Sequence, residues 1–278
     1  MLIGVNVPNF GPGTDPGVLR DWARTVEGLG FDLLMMSDHV VVTPDVAAQY
    51  PAPFYDPFTT LSWLAGVTDK LTLGTTVVIA PYRHPLLVAR MAANLNDLSG
   101  GRFVLGLGVG WAREEFAALG VPFEQRGKLT DELIVAVREA WEDDKYRAGD
   151  IPIWVGGNSE AAMRRAIRHG DAWHPIRQTP DGWRESVGRL GEITGDKQLP
   201  GLAPRILLRL TDEPIENRKL GEGTLEQIVD DVELLRADGA QAVLLDTFIG
   251  DPEETRRPET AWRALAALRD GLAGKENR

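Results

Sequence analysis

The chain has 278 residues, 43% of them hydrophobic and 26% charged, with a formal net charge of −11 and no cysteine. That composition supplies a large core and excludes disulfides, thiolate catalysis and thiolate metal sites. The acidic balance argues against nucleic acid and against an anionic membrane surface as partners.

Met1–Val7 runs straight into a strand-like pattern with no basic leader, so no signal peptide is expected and a cytoplasmic location is. No stretch approaches the ~18 uninterrupted apolar residues of a membrane span. Leu2–Val7 reads as the first strand. Pro16–Gly30 reads as a helix, with proline near its start, Val18, Leu19, Trp22, Val26 and Leu29 at helical spacing and Gly30 as its stop. Asp32–Met36 is a second strand, Pro57–Val67 a helix, and Leu71–Ile79 a β-branched third strand. Leu86–Leu98 is helical, Phe103–Gly108 is strand four, and helices follow at Arg113–Leu119 and Lys128–Trp141. Strand five is placed at Ile151–Val155, strand six at Asp171–Trp173, strand seven at Arg205–Leu210 and strand eight at Ala242–Leu245. Helices are placed at Glu160–Arg168, Asp181–Ile193, Leu225–Ala237 and Glu259–Gly271, with longer loops at Val40–Asp56 and Pro175–Pro180.

Eight apolar strands alternating with amphipathic helices predict a parallel sheet covered by helices, and the count favours a closed (β/α)8 TIM barrel over an open doubly wound sheet. One domain is expected over residues 1–274, with residues 275–278 as a disordered tail.

In such barrels the chemistry lies at the C-terminal ends of the strands. Several barrel chemistries lack their residues here. There is no His-x-His pair on strand one, and the four histidines are scattered, so no metal site is expected. No lysine falls on a predicted strand, as a Schiff base requires, and Asp246 is the only acidic strand end after the second. What remains is a set of glycine turns and polar strand ends. Gly156-Gly157-Asn158-Ser159 joins strand five to a helix whose N-terminus favours an anion, or is an ordinary capped turn. Gly106, Gly108 and Gly110 leave a flat backbone surface against which a planar ring can lie, or relieve crowding. Asp38-His39 is an acid–base or hydrogen-bonding pair, or a structural histidine. Trp111 and Phe10 offer apolar walls, with core packing as the alternative for both.

Taken together, Ser37-Asp38-His39, Gly74-Thr75-Thr76-Val77-Val78, Tyr82-Arg83-His84-Pro85, Ser99-Gly100-Gly101-Arg102, the Gly106–Trp111 run, Glu114-Glu115-Phe116, Ile153–Ser159 and Gly170–Pro175 resemble the luciferase-like monooxygenase superfamily. Within it the chain looks most like the actinobacterial F420-dependent oxidoreductases. The resemblance implies a flavin or deazaflavin ring across the barrel mouth, propped by a bulge in strand three with a non-proline cis peptide, here Thr76–Val77. It implies Asp38 and His39 beside the ring, with His39 as proton donor or acceptor and Asp38 its catalytic companion. Gly108, Val109, Gly110 and Trp111 would pass along the ring's edge, and Gly156, Gly157 and Asn158 would hold the phosphate of the tail. Asn6, Phe10, Trp111 and His174 would line the substrate pocket. The implied cofactor is coenzyme F420, with FMN in a two-component monooxygenase as the alternative and a non-catalytic flavin-binding barrel as a second; a homodimer is the implied assembly.

Two departures bear on the substrate. F420-dependent sugar-phosphate dehydrogenases of the superfamily carry an acidic glutamate where this chain has Trp111, which points to a more apolar substrate. The segment Glu142–Asp150 is shorter than in many relatives, which puts closure of the pocket in question. An anionic cofactor tail on an acidic protein needs a local positive patch, and Arg83, Arg113, Arg164, Arg165 and Arg177 are the candidates.

Overall fold

A computed structural model of the chain describes residues 1–276. The strands are β1 (Leu2–Asn6), β2 (Leu33–Met36), β3 (Thr72–Thr75, resumed at Val78–Ile79), β4 (Phe103–Gly108), β5 (Ile153–Gly156), β6 (Ala172–His174), β7 (Gly201–Leu202, resumed at Arg205–Leu207) and β8 (Ala242–Asp246). All neighbours pair in parallel, in chain order. Closure runs through β7. Its first half pairs with β6 and its second half with β8, which in turn pairs with β1 in the register Leu2 to Ala242. The (β/α)8 barrel expected from the alternation is therefore present.

The helices are α1 (Pro16–Gly28), α2 (Pro44–Ala47), α3 (Pro57–Ala65), α4 (Pro85–Leu98), α5 (Arg113–Ala118), α6 (Arg126–Trp141), α7 (Glu160–His169), α8 (Pro180–Thr194), α9 (Leu225–Ala237) and α10 (Pro258–Glu276). Their starts are written in the sequence. Asp15, Asp56, Ser159 and Thr179 each accept a hydrogen bond from an N–H in the first turn, and Thr224 with Gln227 forms a capping box.

Side-chain alternation splits the core in two. Val5, Leu34, Leu73, Leu105, Val155 and Val243 point outward into the layer shared with the helices. Leu33, Met35, Val104, Trp154, Ala172, Ala203, Ala242 and Leu244 fill the barrel interior. Two residues further along the strands, the same inward positions carry Asn6, Thr76, His174, Arg205 and Asp246. The barrel thus passes from an apolar plug to a buried polar layer just beneath its C-terminal mouth.

Four expectations need correction. Strand seven, expected over Arg205–Leu210, starts earlier at Gly201–Leu202 and ends in the barrel at Leu207; Arg209–Leu210 leaves the barrel to pair with Glu222–Gly223, so the chain makes an excursion between β7 and α9 that its sequence did not announce. The Val40–Asp56 loop contains α2 and is tied to the first loop, through Tyr55 N–H to Asn9 and Gly11 N–H to Pro51 and Pro53. Glu142–Asp150 joins α6 to β5 and packs on the far end of α4, where Asn96 donates to the Ala148 carbonyl at 2.8 Å. It lies at the end of the barrel opposite the mouth, so its shortness does not bear on pocket closure. Of the tail expected to be disordered, Lys275 and Glu276 continue α10, and Lys275 pairs with Asp230; residues 277–278 lie outside the described residues.

No helix among the described residues is long and apolar enough to cross a membrane.

Candidate active site

At the centre of the mouth the polar layer forms one connected network. Asp246, fully buried at the end of β8, accepts from Arg205 Nη2 at 2.7 Å and Nε at 3.0 Å, and from Asn6 Nδ2 at 2.9 Å. Arg205 Nη1 donates to the Thr76 carbonyl at 2.8 Å and lies 3.3 Å from Thr76 Oγ1. Thr76 Oγ1 lies 2.9 Å from His174 Nε2, and His174 Nδ1 bonds the Ala203 carbonyl. A carbonyl only accepts, so Nδ1 carries the proton and Nε2 receives the threonine hydroxyl's. Burial pushes the His174 pKa down to about 4; the Ala203 carbonyl opposes this and the Arg205 charge adds to it. His174 is therefore a neutral strut at physiological pH. Arg205 was not singled out from the sequence, because nothing local marks an arginine on a strand as an axial pillar.

The network holds the strand-three bulge. The Thr76–Val77 peptide is cis, as the family resemblance implied. Val77 stands half-exposed at the mouth. A Cβ on Gly108 would lie 2.4 Å from Val77 Cγ2, and one on Gly156 would lie 2.9 Å from Val77 Cγ1. The glycines of β4 and β5 therefore make room for Val77. The flat backbone surface expected from them is covered, and the face presented to the mouth is the bulge they support.

Asp38 and His39 are adjacent in sequence but do not pair. Asp38 is buried and accepts from Arg83 Nη1 at 2.6 Å, from Arg83 Nη2 at 2.8 Å and from the Ile79 N–H at 2.9 Å. Burial raises its pKa and the guanidinium fork opposes that, in the geometry of an ionised pair. With both oxygens occupied, Asp38 braces the segment after Val78 and is not free to exchange protons. His39 Nδ1 instead lies 2.6 Å from Glu115 Oε2. Glu115, fully buried on α5, also accepts from Tyr82 Oη at 3.0 Å and from the N–H groups of Val40 at 2.6 Å and Val41 at 3.0 Å. Burial works to raise its pKa, yet the His39 and backbone hydrogen bonds outweigh it and the carboxyl lies below its usual range. Burial and the Glu115 charge push Tyr82 far up, so it remains a donor. An ionised Glu115 accepts only, so His39 Nδ1 bears the proton and Nε2 is left as a base. No described residue hydrogen-bonds Nε2. Around the His39 ring stand Tyr50 at 5.6 Å, Phe54 at 5.4 Å and Trp111 at 5.8 Å between centroids.

The other expected positions are sorted by the same geometry. Trp111 is 43% exposed beside His39, whereas Phe10 is 1% exposed, packed behind Tyr50, Phe54 and Phe248. Phe10 is therefore core, and the outer aromatics form the wall it was expected to form. Asn6 is buried in the polar layer, and its Oδ1 has no hydrogen-bond partner. Val109 and Gly110 run half-exposed from Gly108 along the mouth to Trp111. Gly157 turns the chain at φ +122° and Ser159 caps α7. Asn158 is spent on its own scaffold, exchanging two 2.8 Å bonds with the Ile176 backbone. The expected arginine patch is largely neutralised. Arg83 serves Asp38 and Asp56, Arg113 serves Glu124, Arg164 serves Glu160 and Arg165 serves Asp131. Arg177 alone is loosely held, 3.4 Å from Asp246.

The chain is a (β/α)8 barrel whose mouth combines a braced bulge, a histidine hydrogen-bonded to a buried carboxylate, and an aromatic wall. Residues 1–194 match the family described as luciferase-like monooxygenase, and the chain belongs to that family. It is 30% identical over 291 residues to an F420-dependent glucose-6-phosphate dehydrogenase of Nakamurella multipartita, covering 94% of this chain and 73% of the relative. It is also 30% identical over 200 residues to an uncharacterized protein of Mycobacterium tuberculosis, covering 62% of this chain and 69% of that one. Among solved structures, a monooxygenase from Streptomyces bottropensis superposes with a TM-score of 0.77 at 18% identity, covering 99% and 100% of the two chains. The coenzyme F420-dependent tetrahydromethanopterin reductase of Methanopyrus kandleri superposes at 0.72 with 16% identity over 99% of each chain.

Proposed function

We propose that the protein is a single-barrel oxidoreductase that moves a hydride between coenzyme F420 and a predominantly apolar organic substrate. The observation that carries this reading is the His39–Glu115 pair, which leaves one imidazole nitrogen as a free base in a mouth walled by Tyr50, Phe54 and Trp111. Similarity to relatives named F420-dependent dehydrogenases supports the choice of cofactor.

The residues present fit such a group. Asn6 Oδ1 is a buried acceptor without a donor. The half-exposed Val77, standing on Gly108 and Gly156, offers an apolar support. The first turn of α7 after Gly157 and Ser159 leaves N–H groups for an anion, and the carboxylate of Glu160 beside it is paired with Arg164 and Arg189. When bound, coenzyme F420 supplies a two-electron hydride donor or acceptor. The chain's own residues do the rest. The bulge of Thr76 and Val77, fixed by Arg205 and His174, sets the depth to which a ring can enter. Gly108, Val109, Gly110 and Trp111 border it. His39 Nε2 takes or returns the proton that accompanies the hydride, and Glu115 holds it in the competent tautomer. Asp38 positions the His39 segment through Arg83.

The aromatic wall, with Trp111 in place of a charged residue, favours an apolar substrate over a sugar phosphate. A cytoplasmic homodimer is the assembly we favour, with the exposed Trp63, Leu86, Leu87 and Leu98 of α3 and α4 as its apolar contact. The test is turnover. F420H2 should be oxidised, with loss of its absorbance, on a panel of enones, quinones and imines, and His39→Gln should remove that activity while leaving cofactor binding in place. Turnover that requires FMN and oxygen would replace this reading with a two-component monooxygenase.

A further inference from the structure

Beside the mouth, a cavity of about 560 Å³ opens between α10, α1 and the segments that follow β7 and β8. Its size falls in the range of small-ligand sites. The reason for the space is readable in α10. Leu265, Leu268 and Leu272 of that helix are buried in the core, but the face toward the cavity carries Ala261, Ala264 and Ala267. Three alanines at successive helical turns leave open what larger side chains would fill. Trp22, Leu208 and Phe248 complete an apolar floor.

The rim is basic. Arg209, Arg257 and Arg263 line the cavity and are exposed; Glu254 is the one acid that faces it. In a chain of net charge −11, most arginines are matched to a carboxylate, as the mouth illustrates. Here Arg209 reaches Glu222 only at 3.5 Å. Neither Arg257 nor Arg263 has a carboxylate within ion-pair distance among the described residues, and Arg263 has only Thr260 Oγ1 at 3.4 Å. Arg257 and Arg263 therefore keep guanidinium donors with no carboxylate partner, above a lining in which Thr14, Thr247, Thr255 and Thr260 are the uncharged polar side chains.

We infer that this cavity is a binding site for an amphiphilic anion, an apolar chain or ring ending in a carboxylate. The apolar body lies on the alanine face of α10 and the carboxylate meets Arg257 and Arg263, with Arg209 at the edge. A carboxylate accepts the paired donors of a guanidinium, and the apolar floor supplies the burial that surface arginines alone lack. None of the residues that line the cavity contacts the His39 ring. Phe248, which lines it, packs edge-on to Phe10 at 4.9 Å and lies 6.0 Å from Tyr50 of the aromatic wall, so the cavity adjoins the mouth behind that wall. The inference does not depend on which cofactor the mouth takes.

The test is calorimetric titration of the full-length protein with decanoate, and with decylamine as a cationic probe of equal chain length. Decanoate should bind once per chain and decylamine should not. The double variant Arg257→Gln/Arg263→Gln should weaken decanoate by at least about tenfold, since both charged hydrogen bonds are lost. Ala264→Phe, which fills the cavity without touching charge, should abolish it. Circular dichroism identifies any variant that has failed to fold, and the other then carries the test. Absence of decanoate binding, equal binding of decylamine, unchanged affinity in both folded variants, or displacement of decanoate by F420 would each overturn the proposal.

Discussion

Replacing Glu115 by glutamine keeps the shape of the side chain and removes its charge. Two donors converge on each carboxylate oxygen, Val40 and Val41 N–H on Oε1, and His39 Nδ1 with Tyr82 Oη on Oε2. An amide has only one oxygen to offer. If it faces the two backbone N–H groups, its NH2 group faces His39 and Tyr82. His39 must then accept at Nδ1, and the Tyr82 hydroxyl loses its acceptor. One orphaned buried donor and the loss of charge in three bonds cost roughly 2–3 kcal/mol. For a chain of 278 residues that lowers Tm by roughly 3–5 °C. The chemical consequence is larger. His39 is driven to the tautomer with its proton on Nε2, where a base is needed, and hydride transfer coupled to that proton should fall on the order of 10²- to 10⁴-fold. Two-bond ¹⁵N–¹H correlation spectra of the imidazoles read the tautomer directly and need no substrate. Wild type should show His39 protonated at Nδ1 and Glu115→Gln should show it at Nε2, with kcat reduced more than KM is raised. A wild-type His39 protonated at Nε2, or an unchanged tautomer in a folded variant, would refute the role assigned to Glu115.

Other perturbations follow from the same geometry. Gly108→Ala places a Cβ 2.4 Å from Val77 Cγ2 and should displace the bulge, so F420 affinity drops at least about tenfold while the far-UV spectrum is retained; unchanged affinity would mean the bulge does not support the ring. Arg205→Met removes the close cation of buried Asp246, leaving only Arg177 at 3.4 Å, and should cost about 3–5 kcal/mol in urea denaturation, most of it recovered in the double variant Arg205→Met/Asp246→Leu. His174 is neutral when folded down to about pH 4, while the unfolded imidazole protonates at its ordinary 6.5, so the unfolded state binds the extra proton between those values. Stability should therefore fall as pH drops from 6.5 to about 4, by on the order of 3 kcal/mol, and His174→Gln should remove that part of the slope.

The scaffold was largely legible because it rests on local signals. Runs such as Leu33–Met36 and Ala242–Asp246, and caps such as Asp15 and Ser159, are set by residues a few positions apart. Where the barrel departs from that grammar, the cause is tertiary. Arg205–Leu210 reads as one strand because Ile206, Leu207 and Leu208 are all apolar; its barrel pairing stops at Leu207, because Arg209 and Leu210 pair instead with Glu222 and Gly223, a tertiary partner no local pattern marks. The site was half legible. His39 and the Thr76–Val77 bulge lie on contiguous family-like segments. Glu115, Tyr82 and Arg205 act across 76, 33 and 129 positions on partners that periodicity does not identify. For the same reason Asp38-His39 looked like a pair, whereas each residue turns to a distant partner. Phe10 looked like a wall because an aromatic at a strand end is equally suited to wall and core, and only the stack of Tyr50, Phe54 and Phe248 in front of it decides.

The central claim is that this mouth is built for a deazaflavin. The most direct test is one titration of the purified protein with F420, FMN and NADPH, followed by fluorescence quenching at constant salt. The account predicts saturable binding of F420, at least about tenfold tighter than FMN, with no saturation by NADPH. Tight FMN binding in the absence of F420 binding would contradict it.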